Sequence, residues 1–359
     1  MTDHGTKASP SPRTGTNATP DTGGALPAET RVFSGMQPSG EAHLGNYLGA
    51  LRQWVPLQDA HECFFCIVDQ HAIVGEYEPD DLPARVFDLA TSFLAVGLDP
   101  ERSTIFVQSD VPEHAELAWL FNSVTPVGDL ERMTQYKDKS ARYESIPAGL
   151  LNYPILQAAD ILLYRADRVP VGEDQLQHLE LSREIARKWN ARFGGYFPEP
   201  KPILSQAGRI LGLDGNAKMS KSLENTVRIL AEPEEIWGRV RTAVTDPQRV
   251  RRDDPGRPEV CNVYTLHGHF TDPERLPDIA AQCRAGTRGC VDCKRILAES
   301  IGDHFAEVRE RAREYREDPG LVRDILEAGA RRARVEAQET MEAVRDRMGI
   351  RWRSRGEGG

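Results

Sequence analysis

Apolar residues along this chain fall first into short continuous runs and later into positions recurring every three or four residues. Arg31-Val32-Phe33-Ser34-Gly35 reads as a strand ended by glycine, and the stretch holding Pro38, Gly40 and Gly45 as a loop. A helix is predicted from about Leu44 into Trp54. Cys63-Phe64-Phe65-Cys66-Ile67-Val68 is uninterrupted, the mark of a strand buried on both faces of a parallel sheet, with Asp69, Gln70 and His71 at its carboxyl end. A helix over 83–96 precedes a third strand over 103–108. The strand pattern continues through Ile161-Leu162-Leu163-Tyr164 and Val169-Pro170-Val171, and a helix follows over about 174–190. This alternation predicts an α/β fold whose ligands lie beyond the carboxyl ends of parallel strands. From about Pro233 the strand signals fade. Leu321, Val322, Ile325, Leu326, Met341, Val344 and Met348 recur at helical spacing, so the last third reads as all-helical.

Composition narrows the setting. A chain of 359 residues, 39% hydrophobic, is long enough for two domains with a real core. It has no run of about eighteen apolar residues, so no membrane span is expected. Residues 1–30 lack the apolar segment of a secretory signal and are rich in Thr, Pro, Gly and Ser, which predicts a disordered extension. Six cysteines without an extracellular cue suggest a reducing compartment, with the cytoplasm as default. The net charge of -10 means that an RNA partner would need a local basic face. One candidate is the run from Arg331 to Arg355, which holds eight arginines; it reads equally as a solvated helix face.

The densest chemistry lies in Lys218-Met219-Ser220-Lys221-Ser222, where two lysines and two hydroxyls can hold a phosphate chain from one side. Its partner candidate is the upstream loop Gln37-Pro38-Ser39-Gly40-Glu41-Ala42-His43-Leu44-Gly45-Asn46, at a helix start suited to anions. Alone, His43 and Asn46 read as a cap plus a surface histidine. Cys63 and Cys66 point to opposite faces of a strand and read as core thiols. Cys261, Cys283, Cys290 and Cys293 have the spacing C-x21-C-x6-C-x2-C, which suits a [4Fe–4S] cluster or tetrahedral zinc, with free thiols as the alternative.

Together the two loops resemble the signatures of class I aminoacyl-tRNA synthetases. His43-Leu44-Gly45-Asn46 is similar to the first, with Asn in place of its second histidine, and 218–222 matches the second at every position. The chain resembles the bacterial tryptophanyl-tRNA synthetases in particular. The motifs are 33–40, Cys66-Ile67-Val68-Asp69-Gln70-His71-Ala72, Leu130-Glu131-Arg132-Met133-Thr134-Gln135, 158–164, 169–175 and Ala243-Val244-Thr245-Asp246. The resemblance implies a Rossmann-like catalytic domain over 31–232, a helical tRNA- and anticodon-binding domain over 233–348, and a basic flexible tail over 349–359. It also implies a cytoplasmic homodimer that uses ATP with Mg²⁺, L-tryptophan and tRNA(Trp). By resemblance Lys218, Lys221, Lys139 and His43 are catalytic, the lysines 218 and 221 acting from a mobile loop. Gln37, Pro38, Ser39, Gly45, Asn46, Gly172, Glu173, Asp174 and Ile210 hold ATP, together with Met219, Ser220 and Ser222. The quartet of cysteines resembles a set that holds an iron–sulfur cluster in some members.

An indole N–H is a donor only and needs an acceptor, which the resemblance puts at Asp160. Tyr153, Gln157, Gln175 and Phe33 line the rest of that pocket. Gln157 departs from the usual methionine and resembles the tyrosyl enzymes, whereas Phe33 lacks the hydroxyl that a tyrosine enzyme uses there. Tryptophan is the expected substrate. The alternatives are a tyrosyl-type synthetase, a paralogue with a regulatory or partner-binding role, and a small-molecule nucleotidyltransferase.

Overall fold

The computed structural model describes residues 30–141, 143–205 and 210–350. The predicted disorder of the extension and flexibility of the tail concern residues outside that set, Thr30, Gly349 and Ile350 excepted. Among the described residues, parallel strands β1 (Arg31–Met36), β2 (Glu62–Ile67), β3 (Ser103–Val107), β4 (Arg168–Val171) and β5 (Lys201–Leu204) form one sheet, ordered β3-β2-β1-β4-β5. The order reverses between β1 and β4, which opens a crevice at the carboxyl ends of those strands.

Two readings of the pattern differ from this sheet. Ile161, Leu162 and Leu163 are not a strand but the end of the helix Ala148–Leu163. They are buried, and a short apolar run packed on every side has no period that separates helix from strand. β5 escaped notice because Pro202 interrupts it. Its ladder joins β4 alone, with Val169 opposite Pro202, and an edge strand tolerates proline.

β2 divides the core as its alternation requires. Cys63, Phe65 and Ile67 pack on one side with Trp54 and Phe93, while Phe64 and Cys66 pack on the other with Phe106 and Tyr164. The first core continues into Ile236, Leu297 and Val322, and the second into Ala333, Ala337 and Met341, so the helical third shares both. The final helix, Pro319–Met348, begins where the Asp318 side chain accepts from the Leu321 N–H and ends at Gly349 with φ +70°. It lies directly on β3: a Cβ at Gly329 would stand 1.8 Å from the Ile105 carbonyl oxygen.

Several of its arginines reach back to the rest of the chain. Arg332 donates to the carbonyls of Pro100 and Ser103, Arg334 to that of Asp110, and Arg345 pairs with Glu116 at 2.8 Å. Arg347 lies over the Tyr196 ring. Among the described arginines of the basic run, Arg332, Arg334, Arg345 and Arg347 thus help to dock this helix while staying at least partly exposed.

Candidate active site

The loop after β1 turns at Gly40, whose φ of +91° favours glycine, and reaches His43. His43 does cap the next helix. Its Nδ1 accepts from the N–H groups of Gly45 at 3.1 Å and Asn46 at 3.3 Å, and Asn46 Oδ1 accepts from the His43 N–H. It is not a surface histidine, being 8% exposed. Because Nδ1 accepts, the neutral ring carries its proton on Nε2. Burial first, then the charges of Lys221 and Lys218, lowers its pKa to about 4.

Backbone pairing joins this loop to the lysine segment. The Leu44 N–H donates to the Val227 carbonyl at 2.9 Å, and the Ile229 N–H to that of Ala42 at 3.0 Å. A Cβ on Gly45 would meet the Met219 Cβ at 3.2 Å, so the two signature segments touch. The lysines sit on a tight hairpin in which Leu211 faces Lys218 and the Met219 N–H donates to the Ile210 carbonyl. Asn225, which the sequence reading did not single out, holds the hairpin. Its Oδ1 accepts from the Ser220 N–H at 2.7 Å, and its Nδ2 donates to Asp214 and to the Lys218 carbonyl.

From the hairpin both ammonium groups reach across the crevice. Lys221 Nζ donates to the Ser39 carbonyl at 2.5 Å, after β1, and Lys218 Nζ to Asp174 Oδ2 at 2.9 Å, after β4. Gln37 and Ser39 are exposed, and Pro38 is buried beneath them. Gly172, Glu173 and Gln175 flank Asp174, so Asp174 takes Lys218 in this conformation, where the resemblance implied a contact to ATP. Burial lowers the Lys221 pKa to about 8, with Glu41 and Asp88 opposing. Ile210 is buried behind the hairpin; the Ser222 side chain lies outside the described set.

The other half of the crevice is built on the helix Ala148–Leu163, which places Tyr153, Gln157 and Asp160 at i, i+4 and i+7 on one face. Asp160 is 1% exposed. Its Oδ2 accepts from His71 Nε2 at 2.8 Å, and its Oδ1 from Gln108 Nε2 and His114 Nδ1, both at 2.7 Å. Burial alone would raise its pKa, but the hydrogen bonds from His114 and His71 bring it to about 2, so it is a carboxylate. Tyr153 donates to Gln135 and accepts from His178 Nε2, each at 2.8 Å, and Lys139 Nζ lies 5.3 Å above its ring. Lys139 thus stands on the amino-acid side of the crevice. Gln175 Nε2 donates to Asp174, and Phe33 stacks on Tyr164 at 5.6 Å.

The geometry therefore puts a desolvated acceptor and two cations at the carboxyl edge of one sheet. The family described as tRNA synthetases class I (W and Y) matches residues 27–306. The chain belongs to this family. A tryptophan--tRNA ligase of Deinococcus radiodurans is 52% identical over 326 residues, covering 89% of this chain and 99% of the relative. One from Thermotoga maritima is 44% identical with the same coverage. A crystal structure of the Campylobacter jejuni tryptophanyl-tRNA synthetase complexed with ADP and tryptophan is 37% identical, with a TM-score of 0.81 over 89% of this chain and 100% of that one.

His71, Gln108, His114, His178 and Asn225 had no role in the sequence reading of this synthetase. One signal was available. His114 falls on the inward stripe with Leu117 and Phe121, and a polar residue on such a stripe needs a buried partner.

The four cysteines lie apart from this crevice. Cys261 precedes the helix Asn262–Phe270, Cys283 is in the helix Leu276–Arg284, and Cys290 and Cys293 stand in the first turn of the helix Cys290–His304. Among the described residues no group of three or more His, Cys, Asp or Glu is arranged to hold a metal ion as it stands. The other three thiols nonetheless lie within electrostatic reach of Cys293: burial, then Cys261, Cys283 and Cys290, raises its pKa to about 12. Arg249 donates to Cys283 Sγ at 3.7 Å, and His267 Nε2 is 3.4 Å from Cys293 Sγ. Four thiols with nearby donors fit a four-thiolate centre in chemistry.

Proposed function

We propose that this synthetase is a tryptophan--tRNA ligase. The tryptophan carboxylate attacks the α-phosphorus of ATP, the bond to the bridging oxygen breaks, and pyrophosphate leaves. A ribose hydroxyl of the terminal adenosine of tRNA(Trp) then attacks the adenylate carbonyl, and AMP leaves. The nucleophile is already an anion, so activation rests on positioning and on stabilising the leaving charge. The observation that supports this most is the stitching of the lysine hairpin to the His43 loop at the β1/β4 crevice, opposite buried Asp160. Lys218 and Lys221 exchange Asp174 and the Ser39 carbonyl for ATP phosphates, which arrive with Mg²⁺. Lys139 approaches from the amino-acid side. His43, neutral and held by its own cap, donates from Nε2, while Gln37, Pro38, Ser39, Gly45, Asn46, Gly172, Glu173, Asp174 and Ile210 enclose the nucleotide. Met219 anchors the hairpin, with Ser220 and Ser222 at the phosphates. Asp160 accepts the indole N–H, Tyr153 and Gln175 orient the amino group, Gln157 packs on the ring, and Phe33 supports the pocket from below. Pyrophosphate exchange into ATP with tryptophan, and not with tyrosine, is the expected result; the reverse preference would overturn the reading.

The helical region contributes tRNA binding in this proposal, and Cys261, Cys283, Cys290 and Cys293 would hold a [4Fe–4S] cluster, or zinc, as a structural centre beside it. Iron, sulfide and zinc analysis of anaerobically prepared protein tests this, metal-free protein rejecting it. Trp119, 75% exposed on the helix Glu113–Phe121, supports a homodimer in which a second copy covers it. Among the described residues no helix is long and apolar enough to cross a membrane, and a cytoplasmic location is the reading that ATP and tRNA as substrates support.

A further inference from the structure

The buried carboxylate of Asp160 has two oxygens that are used unequally. A carboxylate oxygen has two lone-pair directions, so each can accept two hydrogen bonds. Oδ1 accepts two, from Gln108 Nε2 and His114 Nδ1, both at 2.7 Å. Oδ2 accepts one, from His71 Nε2 at 2.8 Å. One acceptor direction is left among these contacts, and it belongs to Oδ2.

The two donors on Oδ1 are themselves fixed. Gln108 Oε1 accepts from the Gln70 N–H at 3.1 Å, so its amide nitrogen must face Asp160. His114 is fully buried, and its Nε2 lies 2.8 Å from the Tyr164 hydroxyl. An ionised carboxylate only accepts, so Nδ1–H donates to Asp160, and the Tyr164 hydroxyl holds the ring at Nε2. Tyr164 is in turn held between Phe33 and Phe64, which stack on its ring at 5.6 and 4.6 Å. Contacts at both ring nitrogens thus fix the His114 ring and, with it, one rotation of the Asp160 carboxylate.

We propose that His114, its ring held at Nε2 by Tyr164, and Gln108 are positioning residues that saturate Asp160 Oδ1 and aim the free direction of Oδ2 at the indole N–H of tryptophan. This deepens the tryptophan reading and rests on it. Selectivity then comes from a buried acceptor that an isostere without an N–H leaves unpaired.

The test compares kcat/KM for pyrophosphate exchange with L-tryptophan and with its benzothiophene isostere, which has the same shape and sulfur in place of N–H. Tyr164→Phe is expected to narrow the tryptophan-to-isostere ratio several-fold and His114→Phe roughly tenfold, through loss of tryptophan alone. His114→Asn, whose amide can reach the Nδ1 position, is expected to restore most of the ratio. A ratio unmoved in the variants, with both amino acids falling together or neither falling, would assign these residues to packing and overturn the proposal. If His114→Phe does not fold, Tyr164→Phe decides alone. Wild-type protein that activates tyrosine instead of tryptophan overturns the functional reading itself; a tryptophan-active wild type with an unmoved ratio overturns only this assignment.

Discussion

Asp160 and Lys218 are charged side chains of one crevice, held in opposite ways. Asp160 is buried among donors from three separate segments, whereas Lys218 is exposed and carries a single carboxylate partner, Asp174. The difference follows from what each must do. Telling an indole from other side chains requires an acceptor that water cannot reach and that cannot turn away, because the cost of an unpaired buried group is then charged to the wrong substrate. Holding a triphosphate whose charge shifts during the reaction requires cations that can leave one partner for another. Asn225 and Asp214 fix the hairpin backbone and leave the ammonium groups free to make that exchange.

The comparison breaks first at the lysines. Lys218→Ala or Lys221→Ala should lower kcat of activation by about 10²–10³, the usual loss for one group that stabilises developing charge, while tryptophan affinity measured by calorimetry persists. Normal turnover would remove them from the mechanism. Asp160→Asn should act on the opposite parameter, lowering kcat/KM for tryptophan by roughly 10- to 100-fold, since a hydrogen bond to a charged partner is replaced by one to a neutral amide. A loss equal to that of the lysine variants, confined to kcat, would erase the division of labour.

Asp160 also predicts a pH dependence of stability. Its pKa falls from the ordinary 3.8 to about 2 in the fold, so its contribution is present above about pH 4 and is lost as pH drops through 2. That contribution is roughly 2 kcal/mol, and urea unfolding of Asp160→Asn should show a shallower loss between pH 5 and 2 than the wild type. On the alkaline side the lysine half should respond. With a pKa lowered to about 8, Lys221 discharges as pH rises through that value, and KM for ATP should rise with it. Lys221→Arg, slower but permanently charged, should move this limb upward; an unchanged limb would assign it to another group.

How much of this was legible in the sequence depended on the distance between partners. β1, β2 and β3 could be read because their apolar runs are local and flanked by turn-forming or polar residues, and the lysine pentapeptide and His43 loop because each motif is contiguous. The core assignment of Cys63 and Cys66 followed from strand geometry alone. Gln108 and His114 could not be assigned because their partner, Asp160, lies 52 and 46 residues away. Asn225 reads as an ordinary loop residue until Gly212 is seen to have no room for a Cβ, its place lying 2.0 Å from Asn225 Nδ2. The end of the helix Ala148–Leu163 was misread for the opposite reason, since burial on every side removed the periodic signal.

The final helix gives the smallest effect and a check on the whole comparison. Its arginines look in sequence like the free cations of the hairpin, yet in the fold Arg345 is tied to Glu116 and Arg332 to backbone carbonyls near β3. A cation whose partner is part of the protein contributes to docking and has little to offer a phosphate. Arg345→Gln should therefore cost at most about 1 kcal/mol of stability, as partly exposed ion pairs do, and leave KM for tRNA unchanged. A rise in that KM with unaltered stability would mean that Arg345 exchanges Glu116 for RNA as Lys218 exchanges Asp174 for ATP, and would move the final helix to the side of the lysines.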